Sequence, residues 1–203
     1  MIKLYHHQMS TYSRKVRIAL IEKGVPFERI LVDLGKGEHK KADYLAMNPN
    51  GKVPTLVDDG FVIFESTAIC EYLEDKFPNP SILPGDPQSR ARARMWNQYT
   101  DTRVAPAFFK VFSELIFKKP GEGDMAKVEE GRKLIAEQIR ILDRKLEGND
   151  FLAGKQFTLG DVAMMPWFGY LGFVGVEPDA GARHFAAWWE RLAGRKSFAE
   201  SAQ

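Results

Sequence analysis

The 203-residue chain is 44% hydrophobic and almost charge-balanced, at a net charge of +2. That apolar fraction suits one large or two small folded domains and excludes a disordered chain, and the small charge excludes the basic stripe of a general nucleic-acid binder. No apolar run reaches the roughly 18 residues a membrane span needs. The opening "MIKLYHHQMS" has no signal-peptide core, and the single Cys70 cannot close an internal disulfide, so a reducing, cytoplasmic setting is expected. No CxxC pair or close His/Cys set suggests a metal.

In chain order, residues 2–5 read as a short strand. "SRKVRIALIEKG" carries Val16, Ala19 and Leu20 at helical spacing and stops at Gly24. "PFERILVDL", 26–34, reads as a second strand, followed by a polar stretch expected as loop. "VPTLVDDGFVIFES" gives two strands joined through Asp59-Gly60, a hairpin signal, and 66–77 is helical. A strand–helix–strand unit implies a right-handed crossover with parallel pairing, to which the hairpin adds an antiparallel edge.

"PNPSILPGDP", 78–87, holds four of the eleven prolines and reads as a linker. Everything beyond it reads helical. One long element spans 88–117, with a kink or break expected near Pro106. Further helices are expected over 125–147, in "TLGDVAMMPWFGYLGF" and in "RHFAAWWERLAG". Residues 1–80 thus form an α/β domain and 86–203 an all-α domain.

Two helix openings stand out. In "FTLGD", Thr158 and Asp161 form a short capping box with Phe157 and Val162 at the staple positions, a folding signal worth roughly 1–2 kcal/mol. In "MSTYSRKV", Ser10, Thr11 and Ser13 gather where a helix begins, and helix beginnings attract negative charge. No G-x-S-x-G elbow surrounds them, and His6 and His7 have no evident acid partner, which argues against a serine hydrolase.

Four segments together resemble the cytosolic glutathione transferases, over nearly the whole chain: "STYSRKVRIALIEKGVPFE", "GEHKKADYLAMNPNGKVPTL", "DDGFVIFESTAICEYLEDKF" and "FLAGKQFTLGDVAMMP". The hydroxyl at Ser10 and "GEHKK" resemble the serine-type (theta/phi-like) classes. The resemblance implies a thioredoxin-like N-terminal domain with an α-helical C-terminal domain, usually a homodimer, with glutathione as co-substrate.

By that resemblance, Glu65 and Ser66 take the γ-glutamyl end of glutathione. Val53 and a cis Pro54 pair with its cysteinyl backbone. His39, Lys40 and Lys52 face its glycyl carboxylate. Ser10 is the catalytic hydroxyl, with Ser13, Thr11 and Tyr5 as alternatives. It donates a hydrogen bond to the thiolate and does not attack. Tyr12, Arg103, Phe108 and Phe112 are candidates to contact a hydrophobic electrophile held between the domains, and Asp101 to reach a partner subunit's glutathione. The tryptophans and Cys70 read as packing residues. The implied activity is thiolate attack on hydrophobic electrophiles, with hydroperoxide reduction as a secondary activity. A maleylacetoacetate-type isomerase is an alternative, but its serine-serine-cysteine run is replaced here by Ser10-Thr11-Tyr12. A non-catalytic glutathione-binding module would usually lack the hydroxyl or the "VP…ES" ligands, and this chain has both.

Overall fold

Strand β1, Ile2–His6, alternates inward Ile2, Leu4 and His6 with outward Lys3, so one face of its sheet is buried. The structure, a computed structural model, describes residues 1–202. After β1 come helix α1 (Thr11–Glu22) and strand β2 (Phe27–Leu31), which pairs parallel to β1. A 3-10 turn, Glu38–Lys40, and helix α2, Ala42–Met47, then occupy the stretch expected as loop. Strands β3 (Thr55–Asp58) and β4 (Phe61–Phe64) form the hairpin, and helix α3 is Ser66–Lys76. The sheet order is β2-β1-β3-β4, with β3 antiparallel to both neighbours. The hairpin is tight because Asp59 and Gly60 take φ of 47° and 92°, the left-handed pair that a two-residue turn requires.

Helices α1 and α3 pack together, and Leu4, Val16, Ile18, Leu20, Leu56, Ile69 and Cys70 are all sealed from solvent. Tyr5 points the other way and meets Tyr44 of α2 edge-on, ring centroids 6.2 Å apart. α2 is only six residues long and lies between polar stretches, so the sequence pattern hides it; Tyr44 explains its place, being buried with its hydroxyl donated to the Lys52 carbonyl at 2.7 Å.

The second unit, Leu83–Gly194, is helical: α4 (Pro87–Tyr99), α5 (Ala105–Leu115), α6 (Met125–Leu146), α7 (Leu159–Phe168), α8 (Leu171–Val174) and α9 (Arg183–Ala193). The expected break near Pro106 is a π-helical turn, Thr100–Val104, between α4 and α5. Proline has no N–H for the preceding turn and its ring crowds that turn, so the wider turn absorbs the mismatch. The single helix expected over 158–173 is instead two, α7 and α8. Its capping box is present: Asp161 accepts the Thr158 N–H at 2.9 Å. Asp161 also accepts the Leu152 N–H (3.0 Å), the Thr158 hydroxyl (3.1 Å) and the Trp188 indole N–H (2.9 Å), so it ties three segments of the unit.

Beyond Gly194 the chain leaves the helical unit. From Arg195 to Ala202, including α10 (Lys196–Glu200), it packs with residues 1–82, whereas the sequence placed 86–203 in one helical domain. The reason is a set of long-range polar contacts to α1, chief among them a two-pronged Arg195–Glu22 pair at 2.6 and 2.7 Å.

Candidate active site

Strand directions decide where the predicted residues meet. β1 runs antiparallel to β3, with Tyr5 opposite Thr55, and Thr55 also lies opposite Phe64 of β4. The end of β1, the start of β3 and the end of β4 therefore share one end of the sheet. Those three ends lead into Ser10, out of Val53-Pro54 and into Glu65-Ser66.

Ser10 is the N-cap of α1, with an extended backbone (φ −74°, ψ 116°). Its Oγ accepts the Ser13 N–H at 3.1 Å. Capping consumes a lone pair, and the hydroxyl retains its one proton for donation elsewhere. Cap and donor are compatible roles for one oxygen. The other hydroxyls are worse placed. Ser13 is fully buried, and its Oγ lies 3.5 Å from the His7 N–H. Thr11 is 6% exposed, and Tyr5 is turned toward Tyr44. Tyr12 is half-buried.

The loop before Ser10 is fixed from beneath by a residue the sequence reading passed over. Arg17, fully buried, reaches His6 Nδ1 at 3.3 Å and donates to the Gln8 carbonyl at 3.1 Å. Burial, reinforced by the neighbouring Arg17, Arg29 and His7 charges, lowers the His6 pKa to about 4. His6 is thus neutral at pH 7 and can accept from the guanidinium.

The Val53-Pro54 peptide is cis, as the resemblance implied. The carbonyl just before it, that of Lys52, is held by Tyr44 and by the Asn48 amide at 2.8 Å, and both donors also reach the Thr55 hydroxyl, at 3.0 and 3.2 Å. Burial raises the Tyr44 pKa against the opposing Thr55 hydrogen bond, so its hydroxyl stays a donor. Tyr44 and Asn48 are supports that the sequence did not reveal. Gly51 brings the basic residues to the same turn: at φ +54°, a Cβ there would lie 2.8 Å from the His39 carbonyl oxygen and 3.0 Å from Lys40 Nζ. Lys40 and Lys52 are exposed, while His39 is half-buried with a buried Nδ1 that has no hydrogen-bond partner.

Glu65 precedes α3 at φ +70°, ψ 112°, a conformation that costs a non-glycine residue about 1–3 kcal/mol. No side chain caps α3. Ser66 is its first residue, 6% exposed, and Lys15, almost fully buried, donates to Thr67 Oγ1 at 2.9 Å just beneath. An uncapped helix opening with a buried ammonium nearby is electropositive and presents N–H groups.

The electrophile candidates do not share a setting. Phe108 and Phe112 are 0% and 5% exposed, and both pack on Trp167, with ring centroids at 5.9 and 6.4 Å. Both side chains are packed in the helical core and expose little or no surface, whereas the sequence offered them as electrophile contacts. Arg103 is exposed in the π turn and lines an open groove of about 810 Å³ with Tyr99, Pro106 and Phe109. Asp101 is half-buried in the same turn. Trp96, Trp167 and Trp188 are buried, as read from sequence, and Trp189 is half-buried. Among the described residues, no cluster of His, Cys, Asp or Glu could hold a metal, and no helix is long and apolar enough to cross a membrane.

Residues 9–76 match the family model for the glutathione S-transferase N-terminal domain, and residues 100–196 match that for the C-terminal domain. This chain belongs to the glutathione S-transferase family. Glutathione S-transferase F10 of Arabidopsis thaliana is 33% identical over 195 residues, 93% of this chain and 90% of the relative. The crystal structure of glutathione transferase F7 from Populus trichocarpa superposes with a TM-score of 0.88 at 30% identity, covering 100% of this chain and 98% of that one. A glutathione S-transferase-I bound with lactoylglutathione superposes equally well, at 25% identity, covering 99% and 98%. The transferase fold expected from sequence, a four-stranded thioredoxin-like sheet with helices beyond it, is the one observed.

Proposed function

We propose that this glutathione transferase uses the Ser10 hydroxyl to hold glutathione as its thiolate for attack on hydrophobic electrophiles, a detoxifying conjugation. One observation carries the assignment: the Ser10 oxygen caps α1 as an acceptor and keeps its proton to give. A free thiol has a pKa of about 8.5. Lowering it by two units takes about 2.7 kcal/mol of preference for the thiolate. A hydrogen bond to a charged group supplies roughly 1.5–3 kcal/mol and a helix N-terminus about 0.3–1, so the two suffice.

The tripeptide's ends fit the same end of the sheet. The uncapped α3 opening and Ser66 suit the γ-glutamyl carboxylate, and exposed Glu65 its amine. The Val53 backbone pairs with the cysteinyl residue in strand fashion. Lys40, Lys52 and the unpartnered His39 Nδ1 suit the glycyl carboxylate. Tyr12, two residues past Ser10, is the proposed contact for the electrophile, and Arg103 is the candidate offered by the helical unit. Hydroperoxide reduction from the same thiolate, a homodimer in which Asp101 reaches the partner's glutathione, and a cytoplasmic location complete the reading.

The test is capture on immobilised glutathione, then turnover of an aryl halide by wild type and Ser10→Ala. The expected result is capture of both and turnover by wild type alone. Full turnover by Ser10→Ala would move the role to another hydroxyl, and capture without wild-type turnover would make the chain a binding module.

A further inference from the structure

The C-terminal segment leaves the helical unit at Gly194 and lies along α1, the helix that Ser10 opens. Two anchors hold it. At the far end, the Arg195 guanidinium grips the Glu22 carboxylate through both oxygens, and the Ser197 hydroxyl donates to the same group. Burial alone would raise the Glu22 pKa, but Arg195 and Ser197 outweigh it and hold the carboxylate below its ordinary range, so this anchor is charged at neutral pH. At the near end, the Arg14 guanidinium donates from Nε to Ser201 Oγ (3.2 Å) and from Nη2 to the Phe198 carbonyl (3.0 Å). It also sits 4.3 Å over the Phe198 ring.

The near anchor is one bond from the chemistry. The Arg14 backbone N–H donates to the Ser10 carbonyl at 2.9 Å, the first hydrogen bond of the helix turn that Ser10 caps. The two anchors are eight residues apart on α1, about 12 Å along its axis, so the segment braces the helix over most of its length. A third contact, from Arg29 to the Glu200 carbonyl at 3.3 Å, fastens the Ser201 end of the segment to β2. Ser197 and Ser201 are buried in it, at 2% and 0% exposure.

We infer that the segment from Arg195 to Ser201 is a strap that sets the Ser10 hydroxyl on its target, with Arg14 as the positioning residue through which it acts. The inference rests on the proposed role of Ser10. A hydrogen bond weakens steeply with distance and angle, so slack in the first turn of α1 reduces thiolate stabilisation. Glutathione binding should be spared, since Val53, Glu65 and Ser66 lie on other elements.

The experiment compares full-length Arg14→Met, Arg14→Lys, Phe198→Ala and Ser10→Ala with wild type. It reads fold by circular dichroism, kcat and KM for glutathione, and the pKa of bound glutathione from its ultraviolet thiolate band. The expected result for Arg14→Met and Phe198→Ala is a thiol pKa raised by about one unit and a kcat lowered about tenfold below that pKa, with KM within about twofold. Arg14→Lys, which keeps the charge over the ring, should fall between. Folded variants with unchanged thiol pKa and kcat, or with KM raised at constant kcat, overturn the strap. If Arg14→Met does not fold, Ser201→Ala is read instead: a smaller shift in the same direction supports the strap, and no shift overturns it. Ser10→Ala separates the two ideas. If it leaves the thiol pKa unmoved, the thiolate reading fails; if it moves the pKa while the Arg14 and Phe198 variants do not, only the strap fails.

Discussion

The helix openings in the two units are finished differently. In the helical unit, α7 opens at Thr158 and is closed by Asp161 in its first turn, whose carboxylate takes four donors from Leu152, Thr158 and Trp188, so no valence is left for a visitor. In the sheet unit, α3 begins with no side-chain cap behind a strained Glu65, and α1 begins on a serine that gives its lone pair inward and keeps its proton. A saturated opening is a device for folding. An unsaturated one stores favourable contacts for a ligand to complete.

The largest effect that would break this contrast lies at α7. Asp161→Ala strands four buried donors and should cost on the order of 3–5 kcal/mol in urea denaturation. Next comes the support beneath α1. The His6 pKa falls from 6.5 to about 4 on folding, so between those values the unfolded chain binds the extra proton. Stability is therefore full above pH 6.5 and declines as pH falls to about 4, by about 3 kcal/mol. His6→Asn should flatten that part of a melting-temperature profile. Ser10→Ala comes third: kcat for aryl halide conjugation should fall about a hundredfold, while the lost cap costs only about 1 kcal/mol of stability. Smallest is Glu65→Gly, where relief of the positive φ should raise stability by about 1 kcal/mol while KM for glutathione rises. A Glu65→Gly protein that loses stability would mean the strain argument is wrong.

What could be read in advance was local. The Asp59-Gly60 turn, the Thr158–Asp161 box and the proline that breaks the long helix announce themselves within a few residues, because turn and cap chemistry acts over that range. The parallel pairing of β1 with β2 and the antiparallel hairpin followed from the order of the elements. What stayed hidden depends on partners far along the chain. Tyr44 matters because Lys52 and Thr55 come to it, and Asp161 because Trp188 does. The burial of Phe108 and Phe112 has a related cause. A π turn carries an extra residue, which rotates everything after it by about 100°, so the faces of α5 cannot be extrapolated from α4. Arg103 sits within that turn and faces the open groove, while the two phenylalanines lie in the core.

The discontinuous make-up of the sheet-bearing unit has a consequence for biosynthesis. A ribosome delivers the four strands before the buckle that fastens α1, with the whole helical unit in between. Until residues 195–201 emerge, Arg14 lacks its contact to Phe198 and Glu22 its contact to Arg195. The nascent protein can therefore have its sheet assembled while the helix that Ser10 opens is still unbraced.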